Sequence, residues 1–107
     1  MITMETSDSK YAECISEMID HCKQTLIEKH GEYATEDNFH NFNQSALLMG
    51  ISPQLALAGM MSKHTISIYD MMQDRIVDYP IEKWREKIGD HINYLLILWA
   101  MVNINGR

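Results

Sequence analysis

Glu86 and Asp90 stand four residues apart in the stretch from Tyr79 to Asn103, YPIEKWREKIGDHINYLLILWAMVN, and Asn93 follows three positions later. On a helix turning 100° per residue these three fall on one side together with Glu82. Carboxylates so spaced suit a solvated helix face. Partly buried, they need hydrogen bonds, cations or a metal to offset their lost hydration. Other familiar chemistries lack their residues. The five histidines form no H-x-x-x-H pair, so no zinc site is expected. There is neither a glycine-rich phosphate loop nor a G-x-S-x-G elbow. Cys14 and Cys22, eight positions apart on one helix, lie roughly 12 Å from each other. A disulfide needs alpha carbons within about 7 Å, so both are expected as reduced thiols.

The helix that carries the carboxylates changes character along its length. Ile81, Trp84, Ile88, Ile92, Leu95, Trp99 and Val102 gather opposite the polar stripe and are the expected core seam. Toward the C-terminus the polar stripe itself continues as Ile97, Ala100 and Met101, making the last turns apolar all round. A helix of that kind needs covering all round, so a homo-oligomer through the last helix is expected, with Glu86, Asp90 and Asn93 at the rim of the buried surface.

Three helices are expected upstream. Ser7 or Ser9 is a candidate N-cap after a frayed lead-in over residues 1 to 7. Tyr11, Ile15, Met18, Ile19, Cys22 and Leu26 then share a face, and Gly31 is a candidate stop. Thr35 is a second candidate cap, ahead of an apolar face of Phe39, Phe42, Ala46 and Met49 that ends at Gly50. Ser52-Pro53 is the clearest start signal, because proline at the first helical position has no use for its missing N–H. The helix it opens runs to about Met72, with Leu57, Met61, His64, Ile68, Met71 and Met72 on a broad face. His64 is expected as a core histidine with its hydrogen bonds satisfied. Met60, Met61, Met71 and Met72 are expected as core filler. Without sustained alternation or turn pairs there is no strand signal. The fold expected is all-α, a bundle of about four helices in a single domain spanning residues 1–107.

Composition narrows the partners. Nine Lys and Arg against fifteen Asp and Glu give a net charge of -6, without the basic cluster that nucleic-acid binding needs. The longest apolar run covers nine residues where about 20 are needed to span a membrane, and the N-terminus is polar, so a cytoplasmic protein is expected. Acidic surfaces still serve nucleotides when a divalent cation neutralises carboxylates and phosphates together.

The segment Glu86-Lys87-Ile88-Gly89-Asp90-His91-Ile92-Asn93-Tyr94-Leu95 resembles the carboxylate helix of the MazG-like all-α nucleoside triphosphate pyrophosphatases, which reads much like E-E-L-G-D-x-x-x-Y-L. Upstream, His30-Gly31-Glu32-Tyr33, Asp37-Asn38-Phe39, Gly50-Ile51-Ser52-Pro53 and Lys63 are similar, in order, to landmarks of small phage-type members. The resemblance covers roughly residues 28 to 98. It implies a hydrolase that uses Mg2+ or Mn2+ to split a nucleoside triphosphate into a monophosphate and pyrophosphate. By the same resemblance Glu32, Glu86 and Asp90 hold metal, Glu86 and Asp90 serve catalysis, and Lys63, Asn93 and Asn38 contact the nucleotide. Lys87 stands where the family carries a glutamate, and the first helix has no E-x-x-E. Those departures motivate the alternative, a non-catalytic phage-borne protein on the same fold that binds or inhibits a host protein.

Overall fold

The computed structural model describes the backbone of residues 2–33 and 39–106, and the side chains of residues 8–28 and 39–106. It is all-α, with four helices packed as a bundle: α1 (Ile2–Tyr33), α2 (His40–Met49), α3 (Pro53–Gln73) and α4 (Ile81–Asn105). Helix α1 is helical from Ile2, ahead of the candidate caps Ser7 and Ser9. It also continues past Gly31, since one glycine costs a helix only about 1 kcal/mol. Thr35, the expected cap of α2, lies outside the described residues, and α2 takes Phe39 as its N-cap.

Local signals place the other ends. Gly50 closes α2 at φ 68°, in the left-handed region that favours glycine, and donates its N–H to the Ala46 carbonyl. Two residues on, the Ser52 hydroxyl accepts the Leu55 N–H at 3.2 Å, and Pro53 occupies the first turn of α3. The α2 and α3 axes meet at 103° across this corner. At the far end of α3, Asp74 organises the connection: its carboxylate accepts the N–H groups of Ile76 and Val77 and the Tyr79 hydroxyl, at 2.9, 3.1 and 3.0 Å. These bonds, the backbone ones foremost, hold the Asp74 carboxyl below its ordinary range. Tyr79 then meets Trp84 edge to face, and Pro80 caps the start of α4.

Helix α4 is the centre of the arrangement. On one side it packs against α3, and the Gln54 amide near the start of α3 reaches the Gly106 carbonyl past the end of α4 at 2.8 Å, so these two run antiparallel. On the other side it packs against α1, running parallel to it: Arg85 Nε bonds Glu17 at 2.8 Å, and Cys22 lies 3.7 Å from the Gly89 carbonyl. Among the described residues α1 and α3 do not pack on each other, and α2 leans on α3. The core sits where α2, α3 and the second half of α4 converge, on Phe42, Leu57 and Met101, with Met60, Met61, Tyr94 and Leu98 packed around them. Methionine as core filler holds for Met60, Met61 and Met71, whereas Met72 is exposed.

The expected core seam of α4 is corrected. Ile81, Leu95 and Trp99 are exposed, Trp99 by 69%, while Asn93 on the opposite side is 6% exposed and Met101 is fully buried. Asp90, Asn93 and the continuation through Ile97 and Met101 face the other helices of the chain, whereas Glu82 and Glu86 are exposed. Of the apolar seam, Ile81, Leu95 and Trp99 face away from them, and Trp84, Ile88, Ile92 and Val102 are half-buried. Sequence periodicity finds the two faces of a helix, and assigning the more apolar one to the chain's own core assumes that nothing else will cover it.

Candidate functional site

The inward stripe of α4 brings Asp90 to the junction of α1, α3 and α4. Its Oδ2 lies 4.0 Å from His64 Nδ1 of α3. Its charge, after burial, also raises the Cys22 thiol of α1 and the Tyr94 phenol one turn on. Asp90 keeps about a quarter of its side chain exposed, so it is reachable from solvent. Glu86, one turn earlier, is exposed at the rim, and Asn93, one turn later, is buried with its Oδ1 lacking a hydrogen bond.

His64 is not the satisfied core histidine expected. Nδ1 is buried without a hydrogen-bond partner, and the ring lies against Tyr94 at 5.1 Å between centroids. Desolvation pulls its pKa below 6.5; Asp90 works in the other direction, while Lys63, Lys87 and His91 add to the lowering. The contact with Asp90 is therefore that of a neutral ring beside a carboxylate. Two neighbours without a sequence signal complete the surroundings: the Thr65 hydroxyl donates to the Met61 carbonyl at 3.3 Å and lies 2.7 Å from His91 Nε2. A threonine and a histidine 26 residues apart declare no pairing until the helices are docked.

On the α1 side, Gly89 permits the close approach. A Cβ there would stand 2.9 Å from the His21 ring and 3.8 Å from the Met18 sulfur. Glycine in the carboxylate motif thus has a packing reason, independent of any ligand.

Of the residues singled out in the sequence, Asp90 and Asn93 lie on the inward side of α4 and Glu86, one turn before Asp90, is exposed. Lys63 is exposed on α3, one position from His64. Glu32 belongs to the last turns of α1, but its side chain lies outside the described residues, as does the whole of Asn38. Cys14 is exposed and Cys22 buried, both free thiols as expected.

The donors fit a hard cation in a limited sense. Glu86, Asp90 and Asn93 offer oxygens on three successive turns, and the buried Asn93 Oδ1 is an acceptor without a partner. Among the described residues no three His, Cys, Asp or Glu side chains converge on one point. Lys63 and Lys87 stand near enough to His64 for their positive charges to lower its pKa. Compared with family models, with curated proteins and with solved structures, the chain matches none.

Proposed function

We propose that the chain binds a nucleotide together with Mg2+ at Asp90 and hydrolyses it to a monophosphate and pyrophosphate. One observation carries this reading: Asp90 of α4 lies 4.0 Å from His64 Nδ1 of α3 with about a quarter of its side chain exposed, one turn before the buried Asn93, whose Oδ1 has no hydrogen bond. The resemblance of Glu86 to Leu95 to the MazG-like carboxylate helix, with the ordered landmarks upstream, supports the same reading.

In this scheme Glu86 and Asp90 would hold the metal, with Glu32 as a further ligand, and Mn2+ would substitute for Mg2+. When bound, the ion supplies charge neutralisation for the phosphates and orientation for the attacking water. Lys63 attracts the phosphates as a point charge. Asn93 and Asn38 contact the nucleotide and fix its position. Glu86, exposed at the rim, accepts the proton that the water loses as its oxygen bonds the α-phosphorus; the bond to the pyrophosphate oxygen breaks, and pyrophosphate leaves with its electron pair. Pyrophosphate release over a panel of nucleoside triphosphates, with Mg2+ and with Mn2+, tests the proposal. Release by the wild type and its loss in Asp90→Ala are expected. No release from any nucleotide, or an unchanged rate in Asp90→Ala, contradicts it.

A second reading is favoured by Lys87, which stands where the resembled family carries a glutamate and whose charge reaches His64, the neighbour of Asp90. On this reading the chain is a non-catalytic protein of the same fold that binds or inhibits a host protein. Thermal stability unmoved by Mg2+ and nucleotides, together with a stable protein partner in a pull-down, would favour it over hydrolysis.

A further inference from the structure

Among the described residues two buried side-chain polar atoms lack a hydrogen bond, and both stand beside Asp90. Asn93 Oδ1 lies one turn along α4, and His64 Nδ1 faces the Asp90 carboxylate from α3, 4.0 Å from Oδ2. Buried polar atoms without a partner are rare enough that each calls for a physical reason. The asparagine oxygen only accepts, as the carboxylate does, so it offers Asp90 nothing. His64 Nδ1 can donate, in the neutral ring as well as in the charged one. The ring that carries it is 14% exposed and rests against Tyr94, which limits the directions in which Nδ1 can turn.

The neighbouring pair fixes the frame. Thr65 Oγ1 lies 2.7 Å from His91 Nε2 and also reaches the Met61 carbonyl of its own helix at 3.3 Å. Thr65 and His91 follow His64 and Asp90 directly in the chain, so α3 and α4 are bonded to each other next to the gap. Closing 4.0 Å to the usual distance of about 2.8 Å between an N–H donor and a carboxylate is then a matter of side-chain rotation, without movement of the helices. Electrostatics select the tautomer. A proton on Nδ1 presents positive charge to Oδ2, whereas a lone pair there would face the negative charge of the carboxylate, and burial strengthens both effects.

We propose that His64 is a positioning residue for Asp90: it carries its proton on Nδ1 and donates it to Oδ2, fixing the carboxylate and leaving the second oxygen to the ligand. The role rests on the reading that Asp90 serves a nucleotide with Mg2+, whereas the tautomer and the pairing belong to the free protein. A carboxylate already held by one oxygen has less freedom to lose when it meets a cation, which is how neighbours of metal-binding groups raise affinity.

Long-range proton–nitrogen correlation spectra of the histidine rings, in the nitrogen-labelled free chain well above the histidine pKa, read the tautomer directly. The ring signals missing in His64→Asn assign it. Nδ1–H is expected in the wild type, and in Asp90→Ala a return to Nε2–H, the form that free histidine prefers. Nε2–H in the wild type, or a tautomer indifferent to Asp90→Ala, overturns the inference whatever the chain binds. Calorimetric titration with Mg2+ and a non-hydrolysable nucleoside triphosphate then separates positioning from packing. Asparagine puts an amide N–H close to where Nδ1 stands, whereas phenylalanine keeps a ring against Tyr94 and has no donor. Positioning predicts affinity within about threefold of wild type in His64→Asn and about tenfold weaker in His64→Phe. The reverse order, or equal affinity in the two variants, overturns the positioning role. Binding absent in the wild type itself contradicts the nucleotide reading alone, and the tautomer still decides the pairing.

Discussion

His64 concentrates the site's physical tension in one ring. It is largely buried, its Nδ1 has no hydrogen bond, and its pKa is below 6.5 first because burial opposes the charged form. Below about pH 6.5 the unfolded chain therefore binds a proton that the folded chain resists, so stability falls as pH decreases from there toward the folded-state pKa. Above pH 6.5 this contribution is fully present. Thermal melts from pH 8 to 5 are expected to show a drop on the acid side that His64→Phe, which keeps a ring against Tyr94, reduces. An acid limb unchanged in that variant would place the titration elsewhere. The residue types of the site were legible in the sequence: Asp90, Glu86 and Asn93 announced themselves by spacing. The meeting of Asp90 with His64 was not, because a lone histidine on an apolar face reads as ordinary core until the facing helix is known.

Two junctions between elements carry predictions of their own. Gly89 lets α1 approach α4, and its would-be Cβ meets the His21 ring. Gly89→Ala sets a helix-propensity gain of about 1 kcal/mol against a clash with a movable ring, so a net change within about 1 kcal/mol is expected. Gly89→Val adds branching that the contact cannot absorb, and a loss of about 1–3 kcal/mol in denaturant melts is expected. Equal stability of both variants and wild type would show that α1 is not packed closely there. At the start of α3, Ser52→Ala removes the acceptor of the Leu55 N–H and is expected to cost about 1 kcal/mol. The Gly50, Ser52 and Pro53 corner was legible because each signal acts through its own backbone, within a turn of where it sits. The beginning of α1 was not, since the candidate caps Ser7 and Ser9 compete weakly with a helix that nothing upstream interrupts.

For the whole molecule, the lesson lies in the orientation of α4. Periodicity separated its two faces correctly, with Ile81, Leu95 and Trp99 on one and Asp90 and Asn93 on the other. It overstated the burial of the apolar face, where Ile81, Leu95 and Trp99 are exposed, and missed that Asp90 and Asn93 turn toward the other helices, because a chain of 107 residues need not cover its most apolar face with itself. The central claim is that Asp90 serves a ligand. Calorimetric titration of a non-hydrolysable nucleoside triphosphate, with and without Mg2+, tests it most directly. The account predicts metal-dependent binding by the wild type and at least a tenfold weakening in Asp90→Ala, about 1.4 kcal/mol or more. Absence of binding, or equal affinity in Asp90→Ala, would contradict it.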